Sequence, residues 1–406
     1  MKRILIALFL LLALALAAGA LVVVPAIHHP YKGHTQPVIV QIAPGTRAPI
    51  LVHNLMTSGV LARRWPFLVC YFAGRLAHRR VKAGEYMFDR ALSPIDVYSK
   101  LMRGEIYLHT VLVPEGSDRF DIAQIVHDTM EVNPDDFLRL AGQAAAIHDL
   151  DPQATTLEGY LFPDTYRYPR GVAAPTIIQT MLTRFRRVFA AKFKTELEQS
   201  GKSLHDVITL ASLVEKETPD PAERPVVAGV FARRLEKGME LACDPTVVYA
   251  ARLDHRMSDH PTPPIKRSDL AFDSPYNTYL HAGQPPGPIA NPGEASIRAA
   301  LQPAPGDALY FVSNNHGGHV FAATLAEHDK NVAQYRKQLA QLRADGPGDG
   351  DSQDRAPAGP AKNAARPGGD RARHRKRGVT QRGKYQKQKA AHPRTGEKAG
   401  SGTSGR

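Results

Sequence analysis

The strongest hydrophobic pattern lies at the amino terminus, where Ile4 to Val24 is an unbroken run of twenty-one apolar or glycine residues after Lys2 and Arg3. At 1.5 Å per residue a helix of this length crosses a hydrocarbon layer of about 30 Å. Positive charge ahead of it predicts a cytoplasmic amino end and an external remainder. A cleaved signal peptide is the competing reading, because Ala15-Leu16-Ala17 and Ala18-Gly19-Ala20 offer small-residue cleavage patterns. Both readings export the chain.

After a linker-like stretch at 25–37, with Pro25, Pro30, Gly33 and Pro37, the pattern turns to short elements. Val38 to Ile42 predicts a strand, Pro44-Gly45-Thr46 a turn, and Ile50 to Val60 a helix. Ser93-Pro94 opens a helix through Leu101, proline being suited to a first turn. A second strand-to-helix cycle runs from Thr110 through Pro114-Glu115-Gly116 into Phe120, Ile122, Ile125 and Val126. From Asn133 the spacing is mainly helical, with helices expected from Pro134, over Ile177 to Leu197, and over Leu204 to Glu217. Ala308 to Ser313 and His319 to Ala323, joined by Asn314-Asn315-His316-Gly317-Gly318, predict a hairpin, and a closing helix passes Val332 and Tyr335. The class is α+β.

Length allows two or three domains with their own cores, and Cys70 and Cys243 are too few for a disulfide framework or a cysteine zinc site. The net charge of +13 suggests nucleic acid until its distribution is read. Residues 345–406 hold fifteen Lys or Arg against six Asp or Glu, which leaves a body near +4 without a nucleic-acid-binding signature. That tail lacks the apolar residues to fold and by its charge suits anionic polymers or lipid surfaces.

Chemistry concentrates in Leu157-Glu158-Gly159-Tyr160-Leu161-Phe162-Pro163-Asp164-Thr165-Tyr166, which sets a carboxylate among apolar and aromatic side chains. A carboxyl withdrawn from water resists ionising and keeps a proton to donate, as glycosidic cleavage requires. Asp164, six residues on, leaves a two-carboxylate hydrolase open, although between Pro163 and Thr165 it is suited to capping a turn. Glu215 and Glu217 point about 200° apart on a helix, so at most one faces a cleft. Ser212 and Lys216 are one residue too far apart for a penicillin-binding serine enzyme, and His316 and His319 lack a third metal ligand at useful spacing. No metal or cofactor is expected.

Further segments follow in order: Thr209 to Thr218, Val230 to Leu235, Asp244 to Tyr249, Ser274 to Tyr279, Gly283 to Gly293 and Gly317 to Phe321. With the Glu158 segment they closely resemble the MltG (YceG-like) family of membrane-anchored endolytic murein transglycosylases, over roughly residues 1–340. The resemblance implies a transmembrane anchor at 1–24, a small LysM-like βα subdomain at 38–108 and a mixed α/β catalytic domain at 109–343; composition gives the linker at 25–37 and the disordered basic tail at 344–406, which lies outside the resemblance. It implies cleavage within nascent peptidoglycan glycan strands to 1,6-anhydro ends, ending elongation beside penicillin-binding proteins at the inner (plasma) membrane. Glu158 is the implied catalytic carboxylate. Tyr276, Asn277, Tyr279 and Gln284 offer the flat apolar faces and amide hydrogen bonds that sugar rings and N-acetyl groups call for, and with Tyr160, Asp164, Glu217, Asp244 and Thr246 they are the candidate substrate-binding residues. The rival class is a non-catalytic wall-binding membrane protein. One departure stands out: the family commonly has Leu-Gln-(Ser or Thr) where this chain has Leu241-Ala242-Cys243.

Overall fold

The computed structural model describes residues 2–256 and 265–345; the basic tail lies outside the described residues. The apolar run forms α1 (Lys2–His28), which continues through Pro25. It is long and apolar enough to cross a membrane, and its most apolar stretch is uncovered by the rest of the chain. The following linker-like residues are tied down: Tyr31 and Leu92 exchange backbone hydrogen bonds, and the Gly33 N–H donates to the Gly59 carbonyl.

A first core then forms. Strand β1 (Val38–Ile42) is followed by α2 (Ala48–Thr57), α3 (Arg64–Leu76), β2 (Gly84–Phe88) and α4 (Pro94–Arg103). β1 and β2 pair antiparallel from Val38 opposite Phe88 to Ile42 opposite Gly84. Val40, Leu55, Phe67, Tyr86, Val97 and Leu101 are buried between this ribbon and the helices. Ser93 caps α4 by accepting from the Asp96 N–H, and Gly104 ends it in the left-handed conformation that glycine adopts without strain.

A second, larger core gathers β3 (His109–Leu112), α5 (Arg119–Met130), α6 (Pro134–Ala141), β4 (Thr165–Tyr168), α7 (Ala174–Lys192), α8 (Lys194–Ser200), α9 (Leu204–Glu217), α10 (Arg224–Glu236), α11 (Asp244–Leu253) and α12 (Glu294–Leu301). β3 pairs antiparallel with β4, Val111 facing Tyr166. The helix expected over 177–197 is broken. Phe193 leaves helical backbone and buries its ring completely, so α7 ends and α8 begins there, a break that no spacing rule reveals. Helix α9 has the boundaries its pattern predicts and is buried from Leu204 to Val214 on nearly every side, as for a helix at the centre of a bundle.

The expected hairpin is β5 (Tyr310–Ser313) with β6 (His319–Ala322), backed by α13 (Leu325–Asp345). Two contacts fasten it to the bundle: Arg234 Nε donates to the Leu309 carbonyl at 2.7 Å, and Glu223 accepts from both the backbone and ring of His319 at 2.7 Å.

Candidate active site

Two carboxyl groups, buried at Glu158 and half-buried at Glu217, are built by different parts of the second core. Glu158 sits in the turn before β4. Gly159 beside it has φ +88°, and a Cβ there would lie 2.6 Å from Pro288 and 2.7 Å from Ile208, so the turn closes only with glycine. The carboxylate is sealed, with 1 % exposure. The Arg119 N–H at the start of α5 reaches both oxygens at 3.1 and 3.2 Å, Tyr249 OH donates at 3.0 Å and the Asn291 amide at 2.9 Å. Burial, followed by the charge of nearby Asp118, drives its pKa up to about 8, only partly offset by the Arg119 N–H. Asp118 caps α5 in a reciprocal box with Asp121, and Arg252 pairs with both.

Glu217, at the last turn of α9, lines a cavity of about 180 Å³ with Arg234, Asp244, Tyr279, His319 and His328. Burial again raises its pKa, here to about 7, against a hydrogen bond from the Cys243 thiol that lowers it. Asp244, first residue of α11, is also pushed up by burial, and Tyr279 OH donates to it at 2.5 Å. A hydroxyl lattice fixes this corner: Thr278 Oγ1 receives the Cys243 N–H at 3.0 Å, and Thr246 Oγ1 donates to the Cys243 carbonyl at 2.7 Å. Ala242, where the family pattern has glutamine, lines the cavity with φ +50°, an uncommon conformation for a residue with a side chain.

The remaining expected residues divide sharply. Tyr276 stands near Glu158, its ring 5.1 Å from that of Tyr249, and Gln284 is half-buried with its side-chain oxygen unpartnered. Tyr160, Thr246 and Asn277 were expected to face substrate but have no exposed surface. Tyr160 donates to Asp151 and packs edge-on against Phe185 in the core. Asn277 spends its amide on the Leu270 and Phe272 carbonyls and the Tyr279 N–H, so it holds the loop that carries Tyr279. Asp164 accepts from the Thr165 N–H at 2.7 Å, the turn-capping contact, and from Arg184 at 2.5 Å; it borders an open groove with Arg167 and Arg187.

Glu215 and Glu217 point apart. Glu215 pairs with Arg224 at 2.8 Å and accepts the Gly293 N–H at 2.9 Å. Residues that spacing did not single out are Arg119, Tyr249 and Asn291 around Glu158, and Arg234, Cys243 and His328 around Glu217. The motif segments containing Tyr249, Asn291 and Arg234 and the departure at Cys243 gave the only signals, because each contact joins positions far apart in sequence.

The sequence profile of the YceG-like family matches residues 40–334. A Bacillus subtilis (strain 168) protein named endolytic murein transglycosylase is 34 % identical over 270 residues, covering 63 % of this chain and 73 % of that protein. A protein of the same name from Streptococcus pneumoniae serotype 2 is 28 % identical over 326 residues, covering 73 % of this chain; the chain spans 58 % of that relative's length. A crystal structure of a yceG-like protein from Listeria monocytogenes superposes with a TM-score of 0.51 at 30 % identity, covering 73 % of this chain and all of that one. With more than half its length matched, the chain belongs to the YceG-like family.

Proposed function

We propose that this protein is an endolytic lytic transglycosylase of peptidoglycan, anchored by α1, and that Glu217 is its acid and base. The observation that carries the assignment is the cavity at the end of α9. It has room for one sugar ring, aromatic and polar walls, and a carboxyl whose pKa near 7 leaves it protonated in part at neutral pH. In this reading Glu217 gives its proton to the glycosidic oxygen as the bond to muramic C1 breaks. The carboxylate then takes the proton of the same sugar's 6-hydroxyl as that oxygen bonds to C1, which leaves a 1,6-anhydro end and consumes no water. A tethered nucleophile has a high effective concentration, so one carboxylate suffices where hydrolases use two.

A second reading keeps Glu158 as the reacting acid, favoured by its higher pKa of about 8. Its weakness is access: three protein donors already occupy the carboxylate and 1 % of the residue is exposed. Digestion of purified glycan strands, with anhydro ends counted by mass spectrometry, separates the two. Loss with Glu217→Gln and retention with Glu158→Gln supports the first; the reverse supports the second. Glycan binding without anhydro products from the unaltered protein makes it a wall-binding protein instead.

The reading carries further proposals. The body faces the extracytoplasmic side of the plasma membrane, because Lys2 and Arg3 precede the apolar run while Lys32 is the first Lys or Arg after it. The core at 38–108 is a LysM-like subdomain, the catalytic domain is 109–343, and penicillin-binding proteins supply the nascent strands. The basic tail at 344–406 contacts anionic wall polymers or lipids.

A further inference from the structure

Helix α3 has two apolar faces. One packs inward through Phe67 and Cys70, and Gly74 lies so close to Tyr98 that a Cβ would overlap its hydroxyl. The other carries Trp65, Val69, Phe72 and Leu76, spaced i, i+4, i+7 and i+11 and therefore in one stripe. Trp65 is half-buried, whereas Val69, Phe72 and Leu76 are 39 %, 52 % and 84 % exposed. The outer face of a helix on a soluble domain is normally polar, and a rimmed apolar patch marks a contact surface.

Its surroundings identify the partner. The end of α1 packs against α3 and α4, and Ile27 joins their core, so wherever α1 enters a bilayer α3 lies at its surface. Charge agrees: residues 1–84 contain no Asp or Glu, and Arg63, Arg64, Arg75, Arg79 and Arg80 cluster along and after α3. None of those five arginines makes a salt bridge among the described residues. An apolar stripe edged by unpaired cations is the composition of a helix that lies in the lipid headgroup layer.

We propose that α3 is an interfacial helix that seats its Trp65–Leu76 stripe in the anionic bilayer surface beside α1 and holds the first core against the membrane. The proposal rests on α1 crossing a bilayer and not on the glycan-cleaving reading, so each can fail without the other.

Trp65 is the only tryptophan of the chain, which makes its fluorescence a direct reporter. The full chain is reconstituted into phosphatidylglycerol-containing vesicles with acyl chains brominated at shallow or deep positions. Expected is quenching by the shallow bromines, with protection from aqueous acrylamide. Phe72→Glu with Leu76→Glu, both on exposed positions and checked for folding by circular dichroism, should reduce the quenching by about twofold while Trp65 and α1 remain in place. Equal quenching of the unaltered and doubly altered chains would reduce the effect to nearness to α1 and overturn the proposal. So would free access of acrylamide to Trp65, or protection from both quenchers together with crosslinking to a protein through α3.

Discussion

Glu158 and Glu217 lie in the same part of the molecule, and burial raises the pKa of both, yet their surroundings differ. Around Glu158 an N–H, a phenol and an amide converge on the carboxylate, and solvent is shut out. Around Glu217 the thiol of Cys243 approaches from the protein side while the rest of the group opens on a cavity. A raised pKa therefore marks withdrawal from water but not access to substrate; the number of donors already spent on the group separates the two. The sealed carboxyl is suited to holding Asn291 and the start of α5 in register, and the open one to trading protons.

The largest expected effect tests that division directly. Glu217→Gln should lower the rate of anhydro-end formation by about a thousandfold, the range of a general acid and base, with the melting temperature nearly unchanged. Glu158→Ala should do the opposite in kind: the Arg119 N–H, Tyr249 and Asn291 lose their common acceptor, and stability should fall by about 3 kcal/mol in denaturant titrations of the detergent-solubilised chain. An active, stable Glu158→Ala protein would break the comparison.

A smaller, signed effect follows from pH. The unfolded Glu158 carboxyl loses its proton near 4.5, the folded one near 8. The folded state thus binds the extra proton between those values, so this group's stabilisation is complete below about 4.5, declines as pH rises, and is gone above about 8. Gln cannot titrate. The melting temperature of Glu158→Gln should therefore gain on the unaltered protein as pH goes from 5 to 8, and a constant gap would show that the sealed carboxyl does not keep its proton.

His205, in the first turn of α9, supplies a test of the same sign. Its ring nitrogens face Asp151 at 2.9 Å and the Pro286 carbonyl at 3.0 Å, both acceptors, and the hydrogen bond to Asp151 raises its pKa. A raised histidine stabilises the fold fully below its unfolded pKa and loses that contribution as pH rises through the folded value. From about pH 6.5 upward, His205→Gln should show a shallower decline in melting temperature than the unaltered chain, and identical slopes would remove this ion pair from the account.

Much of this architecture was legible because it is written locally. Ser93-Pro94, the apolar face of α9, and the diglycine turn between β5 and β6 each declare an element within a few residues. The break at Phe193 was not, since the gain comes from burying one ring among residues distant in sequence. The site divides the same way. The sequence showed that Glu158 is surrounded by apolar neighbours, which its raised pKa reflects, but Arg119 and Asn291 come from 39 and 133 residues away to fill its valences. Glu217 was legible as a candidate substrate-binding residue at a helix end but not as a carboxyl with a raised pKa, because its cavity exists only where β5, β6 and α13 fold over it.

The finest distinction rests on the departure at Cys243. A thiol is a weaker hydrogen-bond donor than a hydroxyl, so Cys243 lowers the pKa of Glu217 less than serine would. Since a general acid must be protonated, the alkaline limb of kcat/KM reports the free enzyme's acid. Cys243→Ser should move that limb to lower pH by about half a unit, and Cys243→Ala, which removes the donor, should move it up. Glu158 has no contact with Cys243; if Glu158 were the acid, the limb would stand near pH 8 and ignore both substitutions. A limb near 7 that shifts in opposite directions with Ser and Ala identifies the open carboxyl as the one that gives its proton away.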